Sequence, residues 1–362
     1  MKYRPYIIIV FIISFLSGCG KELDLSQFPL NKSPQVIGDT VYIPIFPVIN
    51  GFSQPNDILV GKEPIIYIAD MMNNRIAQMD LSGALISYSD FILRPRKIAQ
   101  DRNYDLLVIA SVIDTIPPNI LDTVDAVFRF RLRYNGGILS GVHPVITFKS
   151  NQPTPLPGNH GHLTGITTFS DNYYLVLRSG PNNSSLIDPD NAIFRIDKYD
   201  HTLPVPERLS GFEVLGQGLL SLLGTSAVTT FSFNNTDFIY TQTDQNAVFK
   251  VQWSVYDDIE NTYNPKFTPE SNVDLLRNGL FAQPVGITID DYTNIYIVDA
   301  QKDSLYKFSG NGMLRRESFG GNGASVTQFS GPSGVAFFYK TLYICDKGND
   351  RILRFILSTD VH

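Results

Sequence analysis

The sequence predicts an all-β fold: a six-bladed β-propeller of four-stranded antiparallel blades, closed by an N-terminal strand that completes the last blade. Three observations predict it. The triplets Ile68-Ala69-Asp70, Ile297-Val298-Asp299 and Ile344-Cys345-Asp346 recur at distant positions, each directly after a tyrosine, and recurrence of this kind marks internal repeats, which decide the architecture. Each triplet belongs to a series of short strand-like runs separated by tight turns, in units of roughly 40 residues or more, the size of one blade. Aromatic residues make up 12% of the chain, almost all Tyr and Phe, which favour strands, and no amphipathic helical pattern competes over most of the length.

Each first strand begins where a small or polar residue precedes Ile or Val: Asp57-Ile58, Lys97-Ile98, Gly165-Ile166, Ala227-Val228, Gly286-Ile287 and Gly334-Val335. Second strands are expected at Ile65–Ala69, Asp105–Ala110, Tyr173–Leu177, Phe238–Gln242, Asn294–Val298 and Thr341–Cys345. Third strands follow at Arg75–Met79, Ala126–Phe130, Ala192–Ile196, Ala247–Val251, Ser304–Phe308 and Arg351–Phe355. Fourth strands are less regular, as at Leu85–Tyr88, Val145–Lys149 and Glu213–Leu215. After Phe355 too little chain remains for a turn and a full fourth strand. Val41–Phe46, upstream of the first unit, has no partner of its own and can take that place, which removes open sheet edges. Pro44 suits an outermost strand, where one N–H need not pair.

The last unit, Gly331-Pro332-Ser333-Gly334-Val335 through Leu342-Tyr343-Ile344-Cys345-Asp346 to Arg351–Phe355, resembles the NHL repeat, as do Gln54–Asp80 and Gln283–Phe308. The resemblance implies a β-propeller. The three middle units are eroded: Ser111 and Ser179 stand where the repeat has Asp, and the turn around Thr243–Asp244 is shortened.

The N-terminus carries Lys2 and Arg4, an apolar run from Ile7 to Leu16, and then Ser17-Gly18-Cys19. The run is too short to span a bilayer, which takes about 20 apolar residues, and the pattern reads as a secretory signal. Leu16-Ser17-Gly18-Cys19 resembles the lipobox of bacterial lipoproteins, which implies lipidation at Cys19 and anchoring in a membrane. Gly20 after the cysteine points toward the outer membrane, with the side undetermined. The expected organisation is residues 1–18 as lipoprotein signal peptide, 19–38 as lipidated tether and 39–362 as a single propeller domain. With Cys19 lipidated, the second of the two cysteines, Cys345, has no intramolecular partner and reads as a buried inert thiol.

Hydrophobic residues at 43% allow a substantial core, while charged residues at 18% fall below the usual quarter. A net charge of −6 and the lack of a basic run with interleaved aromatics argue against nucleic acid as a partner.

The first-to-second turns are all short. Expansions fall at Ser111–Asp125, Gly180–Asn191, Ser150–Leu163 and Gly216–Thr225, all of which emerge on one face of a propeller. The stretch Gln252–Leu280 is the exception and enlarges the other face. Long loops on a rigid scaffold gather binding residues, so the loop-rich face and the channel mouth are the candidate site. Its candidates are Asp57, Arg96, Lys97, His160, His162, Arg178 and Asp188, with Thr164, Ser226 and Ser333 also entering the channel. Asp70, Asn73 and Arg75, with Asp346, Asn349 and Arg351, read as turn residues instead.

His160 and His162 are the only close histidine pair and the weak candidates for a metal. Two resembling propeller families, a peptide-amidating lyase and the sugar lactonases, hold zinc and calcium, but neither ligand motif can be placed here residue by residue. The plainer reading of the pair is loop-bonded or exposed. No nucleophile elbow, zinc-protease helix or phosphate loop is present. The sequence therefore favours a lipid-anchored binding or assembly module without a cofactor, whose partners are an envelope or outer-membrane protein, a peptide or a glycan. The alternative is a metal-dependent hydrolase or lyase at the channel mouth.

Overall fold

A computed structural model describes residues 40–116, 119–150, 161–201 and 208–361. The predicted signal peptide, the tether and Cys19 lie outside them, as does His160.

The described chain forms six antiparallel sheets. Blade one comprises β2 (Pro55–Val60), β3 (Ile66–Asp70), β4 (Arg75–Met79) and β5 (Leu85–Tyr88). Blade two comprises β6 (Lys97–Gln100), β7 (Leu106–Ile116), β8 (Ile120–Phe130) and β9 (Val145–Lys149). Blade three holds β10 (His162–Thr168), β11 (Tyr174–Ser179) and β12 (Ala192–Ile196). Blade four holds β13 (Thr225–Thr230), β14 (Phe238–Gln242), β15 (Val251–Asp257) and β16 (Thr262–Pro265). Blade five holds β17 (Pro284–Ile289), β18 (Ile295–Asp299), β19 (Ser304–Phe308) and the short β20 (Phe319–Gly320). Blade six is built from β21 (Gly334–Phe338), β22 (Thr341–Asp346) and β23 (Arg351–Leu357), with β1 (Tyr42–Ile49) as its outer strand.

The first strands touch in sequence, β2 to β6, β10, β13, β17 and β21, and β21 returns to β2. This ring is the propeller. The closure runs as the sequence predicts: Tyr42 pairs with Leu357, Ile43 with Ile356 and Pro44 with Phe355. Arg354 reinforces the seam by donating to the Pro47, Leu81 and Ser82 carbonyls at 2.9–3.0 Å.

The apolar residues form one cluster at each of the six blade interfaces. Tyr67, Ile76, Ile98, Leu106 and Phe130 fill the first, and Tyr42, Tyr296, Phe329, Leu342 and Phe355 fill that between blades five and six. Within the blades the second strands are buried, Ile66–Asp70 and Ile295–Asp299 from end to end, because both of their faces meet a neighbouring blade.

Three expectations are corrected. Ser111–Asp125 is not an open loop: β7 and β8 stay paired from Leu106↔Phe130 out to Ile116↔Ile120, a two-stranded arm projecting from blade two. The third strand of blade four starts at Val251, not Ala247, because Ala247 closes a turn by donating to the Asp244 carbonyl at 3.1 Å. Its continuation through Asp257 pairs with β16, so much of 252–280 is a hairpin of the blade. Glu213–Leu215 does not join blade three. Glu213 bridges Ser221, and it is Arg208 that pairs beside Phe194 at the blade edge.

Candidate functional site

The triplet aspartates hold turns, as the sequence suggests. Asp70 accepts from the Ser53 amide at 2.8 Å, from Asn73 at 2.9 Å and from Arg75 Nε at 2.8 Å. Asp346 repeats the arrangement with the Ser330 amide, Asn349 and Arg351 at 2.7–2.8 Å. Asp299 accepts from the Ala282, Gln283, Gln301 and Lys302 amides. Each aspartate ties its own turn to the segment that leads into the blade, so the repeat residues serve the scaffold.

The site lies where the repeat is broken. At the residue before the Ile or Val of each first strand, four blades carry the small residues Gly165, Ala227, Gly286 and Gly334. The space is tight there: a Cβ on Gly334 would meet the Asp57 Cα at 2.8 Å. Blades one and two instead carry Asp57 and Lys97. Lys97 Nζ donates to the Val285 carbonyl of blade five at 2.7 Å, so its side chain crosses the channel from one blade to the opposite one. Cavities on both sides of it are lined by Lys97, and the bar divides the channel into two blind cups.

The cup on the loop-rich face has a volume of about 490 Å³. Arg96, Lys97, His162 and Lys347 line it together with hydroxyls and amides, among them Thr164, Ser226, Ser333, Thr225 and Gln283. No carboxylate is among its described lining residues. A shallower depression of about 560 Å³ adjoins it through Thr243, Gln283 and Val285, and there Asp244 appears.

The cup's wall is built by clasps between first strands. Ser333 Oγ donates to the Pro55 carbonyl at 2.8 Å, Asn56 Nδ2 to the Arg96 carbonyl at 2.9 Å and Ser226 Oγ to the Pro284 carbonyl at 2.6 Å. Lys347 Nζ reaches Asn56 Oδ1 at 2.9 Å. Burial, with the Lys97 charge added to it, pulls the Lys347 ammonium below its usual range.

Asp125, at the base of the arm, organises the rim from behind. It meets Arg96 Nη2 at 2.5 Å and His162 Nδ1 at 3.2 Å, and accepts the Leu163 amide at 3.0 Å. Burial alone would raise the Asp125 carboxyl, but the His162 hydrogen bond and the Arg96 charge outweigh it and hold it below the usual range. The Asp125 hydrogen bond lifts His162 above its ordinary value. A raised histidine stabilises the fold most below its unfolded value of about 6.5, and that contribution is lost as pH rises through the folded value.

Asp57 faces the other cup, of about 390 Å³, together with Gln100 and the threonines of β10, β13 and β17. Its carboxyl is pushed up by burial, against the opposing effects of Lys97 and the Ile98 amide, which donates to it at 3.0 Å. Lys97→Met is therefore expected to cost about 1–3 kcal/mol, by leaving a desolvated carboxylate without its cation. In a thermal melt, Asp57→Asn in the same chain should return part of that loss.

Arg178 and Asp188 are paired with each other. Arg178, whose side chain is 3% exposed, donates to Asp188 Oδ1, to the Pro189 carbonyl at 2.7 Å and to the Asp190 carbonyl at 3.1 Å. They fasten residues 180–191 instead of lining the cup. The structure thus brings together Arg96, Lys97 and His162, and sets Asp57, Arg178 and Asp188 apart. The missed member is Lys347. Its signal was register: it follows Asp346 as Ala300 follows Asp299, and both line the cup.

His162 faces a carboxylate already engaged by Arg96, and no group of three His, Cys, Asp or Glu side chains among the described residues is placed to hold an ion. None of the described helices is long and apolar enough to cross a membrane.

No family profile and no curated protein sequence matches the chain. Solved structures do. An auxiliary nutrient binding protein from Bacteroides ovatus superposes with a TM-score of 0.58 at 10% identity, over 85% of this chain and 70% of that one. A protein of unknown function from Bacteroides thetaiotaomicron gives 0.57 at 13% identity, over 88% and 76%. A gluconolactonase from Xanthomonas campestris gives 0.54 at 11% identity, over 88% and 90%. What this chain shares with these proteins is the six-bladed propeller fold.

Proposed function

We propose that the protein is a binding module of a bacterial cell envelope, held to the outer membrane by lipid on Cys19, that engages its partner through the loop-rich face. The observation that carries this reading is the blind, basic cup at the channel mouth. Four basic side chains converge there in a chain whose acidic residues outnumber its basic ones, 35 to 29. The clasps that shape the cup are made within the protein, so the site is formed before any ligand arrives, which lowers the cost of binding. Similarity to a nutrient binding protein is compatible with this reading. The partner is an envelope protein, a peptide or a glycan.

Two experiments test it. Cys19→Ala should move the protein from the membrane pellet to the soluble envelope fraction, since stable anchoring needs the acyl chains; retention in the pellet after a high-salt wash contradicts the anchor. Capture of partners from detergent-solubilised membranes should be lost with Thr164→Arg and Lys347→Glu, which fill the cup and reverse its charge. Capture unchanged by those variants, but lost with Lys62→Glu on the opposite face, contradicts the loop-face assignment.

A further inference from the structure

We infer that the loop-face cup takes a carboxylate-bearing saccharide, seating an acidic sugar ring end-on above Lys97. This deepens, and rests on, the reading of that cup as the binding site. The charge argument comes first. Arg96, Lys97, His162 and Lys347 all present cationic or protonatable groups to one cavity with no carboxylate among its described lining residues. Burial, and after it the nearby Lys97 charge, disfavours the charged form of Lys347, and an anion beside the two offsets that repulsion. Arg96 is fixed from behind by Asp125, so its guanidinium is oriented before a ligand arrives.

The rest of the lining selects for hydroxyls. Thr164, Thr243 and Gln283 place polar groups around the rim, with the Thr164 hydroxyl braced by buried Thr225 at 3.1 Å and Thr243 Oγ1 donating to the Gly224 carbonyl at 3.1 Å. Among the described lining residues none is aromatic, and the aliphatic side chains are Leu163, Val285 and the small Ala300. A polyhydroxylated ring with one negative charge matches the polar and basic character of this lining.

The shape sets the direction of approach. Because Lys97 spans the channel to Val285, a ligand that enters from the loop face meets its side chain at the bottom of the cup. A volume of about 490 Å³ falls within the range of small-molecule pockets, roughly 300–1,000 Å³. The cup therefore suits a free sugar acid or the terminal residue of an acidic glycan, in preference to a chain threaded through the ring.

Calorimetric titration of the full chain in detergent at low salt tests this, with galacturonate and trigalacturonate against galactose, galactotriose and inorganic phosphate. The acidic sugars should bind, with affinity falling as salt is raised. Lys347→Met should weaken them about tenfold or more, the scale of a lost charged hydrogen bond, while Lys347→Arg retains most of the affinity. Unchanged thermal melts for both variants exclude misfolding as the cause. Equal binding of the neutral sugars, or phosphate binding as tightly as galacturonate, overturns the inference. Absence of any acidic-sugar binding, while partner capture still depends on Thr164 and Lys347, overturns it and leaves the binding-module reading standing. Partner capture independent of both residues removes the reading on which it rests.

Discussion

Removal of residues 40–49 is expected to lower the melting temperature of the ring and to make the chain associate or aggregate at concentrations where the full chain does not. These residues carry β1, the outer strand of blade six. Without it, β23 becomes an exposed edge with unpaired backbone groups, a template for pairing with another chain. Tyr42 and Ile49 lose their burial, worth about 1.5–3 kcal/mol each, and the β1–β23 ladder is lost with them. Arg354 also loses its acceptor at Pro47. Light scattering and a thermal melt of the truncated chain check this. An association state and a melting temperature both unchanged from the full chain would mean that the ring does not close through β1.

The second large effect is expected at Arg129, between blades two and three. Its guanidinium is 4% exposed and is held by Asp101 at 2.6 Å, Asp105 at 3.5 Å and Asp200 at 2.7 Å. Tyr174 OH adds a hydrogen bond to Asp200 at 3.2 Å. Arg129→Met removes the one cation that meets all three carboxylates, and breaking a buried pair in this way costs about 3–5 kcal/mol. The pH dependence follows from Asp105, whose carboxyl burial and the Asp101 charge already push above its ordinary value. A carboxyl raised in the folded state binds more protons folded than unfolded, so stability falls as pH rises through its folded value. The variant should be weakest near neutral pH and regain stability as the buffer is acidified toward about pH 4–5, just above the unfolded carboxyl value. Denaturant titrations at several pH values measure both effects. A loss below about 1 kcal/mol, or one independent of pH, would show that the carboxylates find other compensation.

Much of the scaffold was legible because its signals are local. Asp70, Asp299 and Asp346 sit at one register of each unit and bond to atoms of their own turn and its lead-in, so the triplet announces both blade and role. The closing strand was legible by elimination, since Val41–Phe46 had no partner and the last unit lacked one. The arm was misread because its length suggested a loop, although Val112, Ile113, Thr115, Thr123 and Val124 are β-branched residues that favour strands. Pairing leaves one face of the arm open, with Ile113 and Leu121 at 64% and 71% exposure. In blade four, the run Ala247–Val251 is apolar enough for a strand, but its first residues are spent on closing a turn.

The cup was only half legible for a different reason. Arg96, Lys97 and His162 could be placed at the channel from the strand register. That Lys97 ends on Val285, in the opposite blade, depends on ring geometry and on no neighbour in sequence. The same crossing puts Asp57 on the far side of the bar, although the two residues occupy equivalent positions in adjacent blades. Arg178 and Asp188 looked available because each is charged and near a long loop; they satisfy each other instead.

The central claim, that partners are engaged at the loop-face cup, is tested most directly by site-specific photocrosslinking in native membranes. A photoreactive residue would replace Gln283 or Thr243 at the loop-face rim, and Lys62 or Tyr292 on the opposite face. Adducts formed from Gln283 and Thr243, and none from Lys62 and Tyr292, is the predicted result. Adducts formed from the opposite face alone would contradict it.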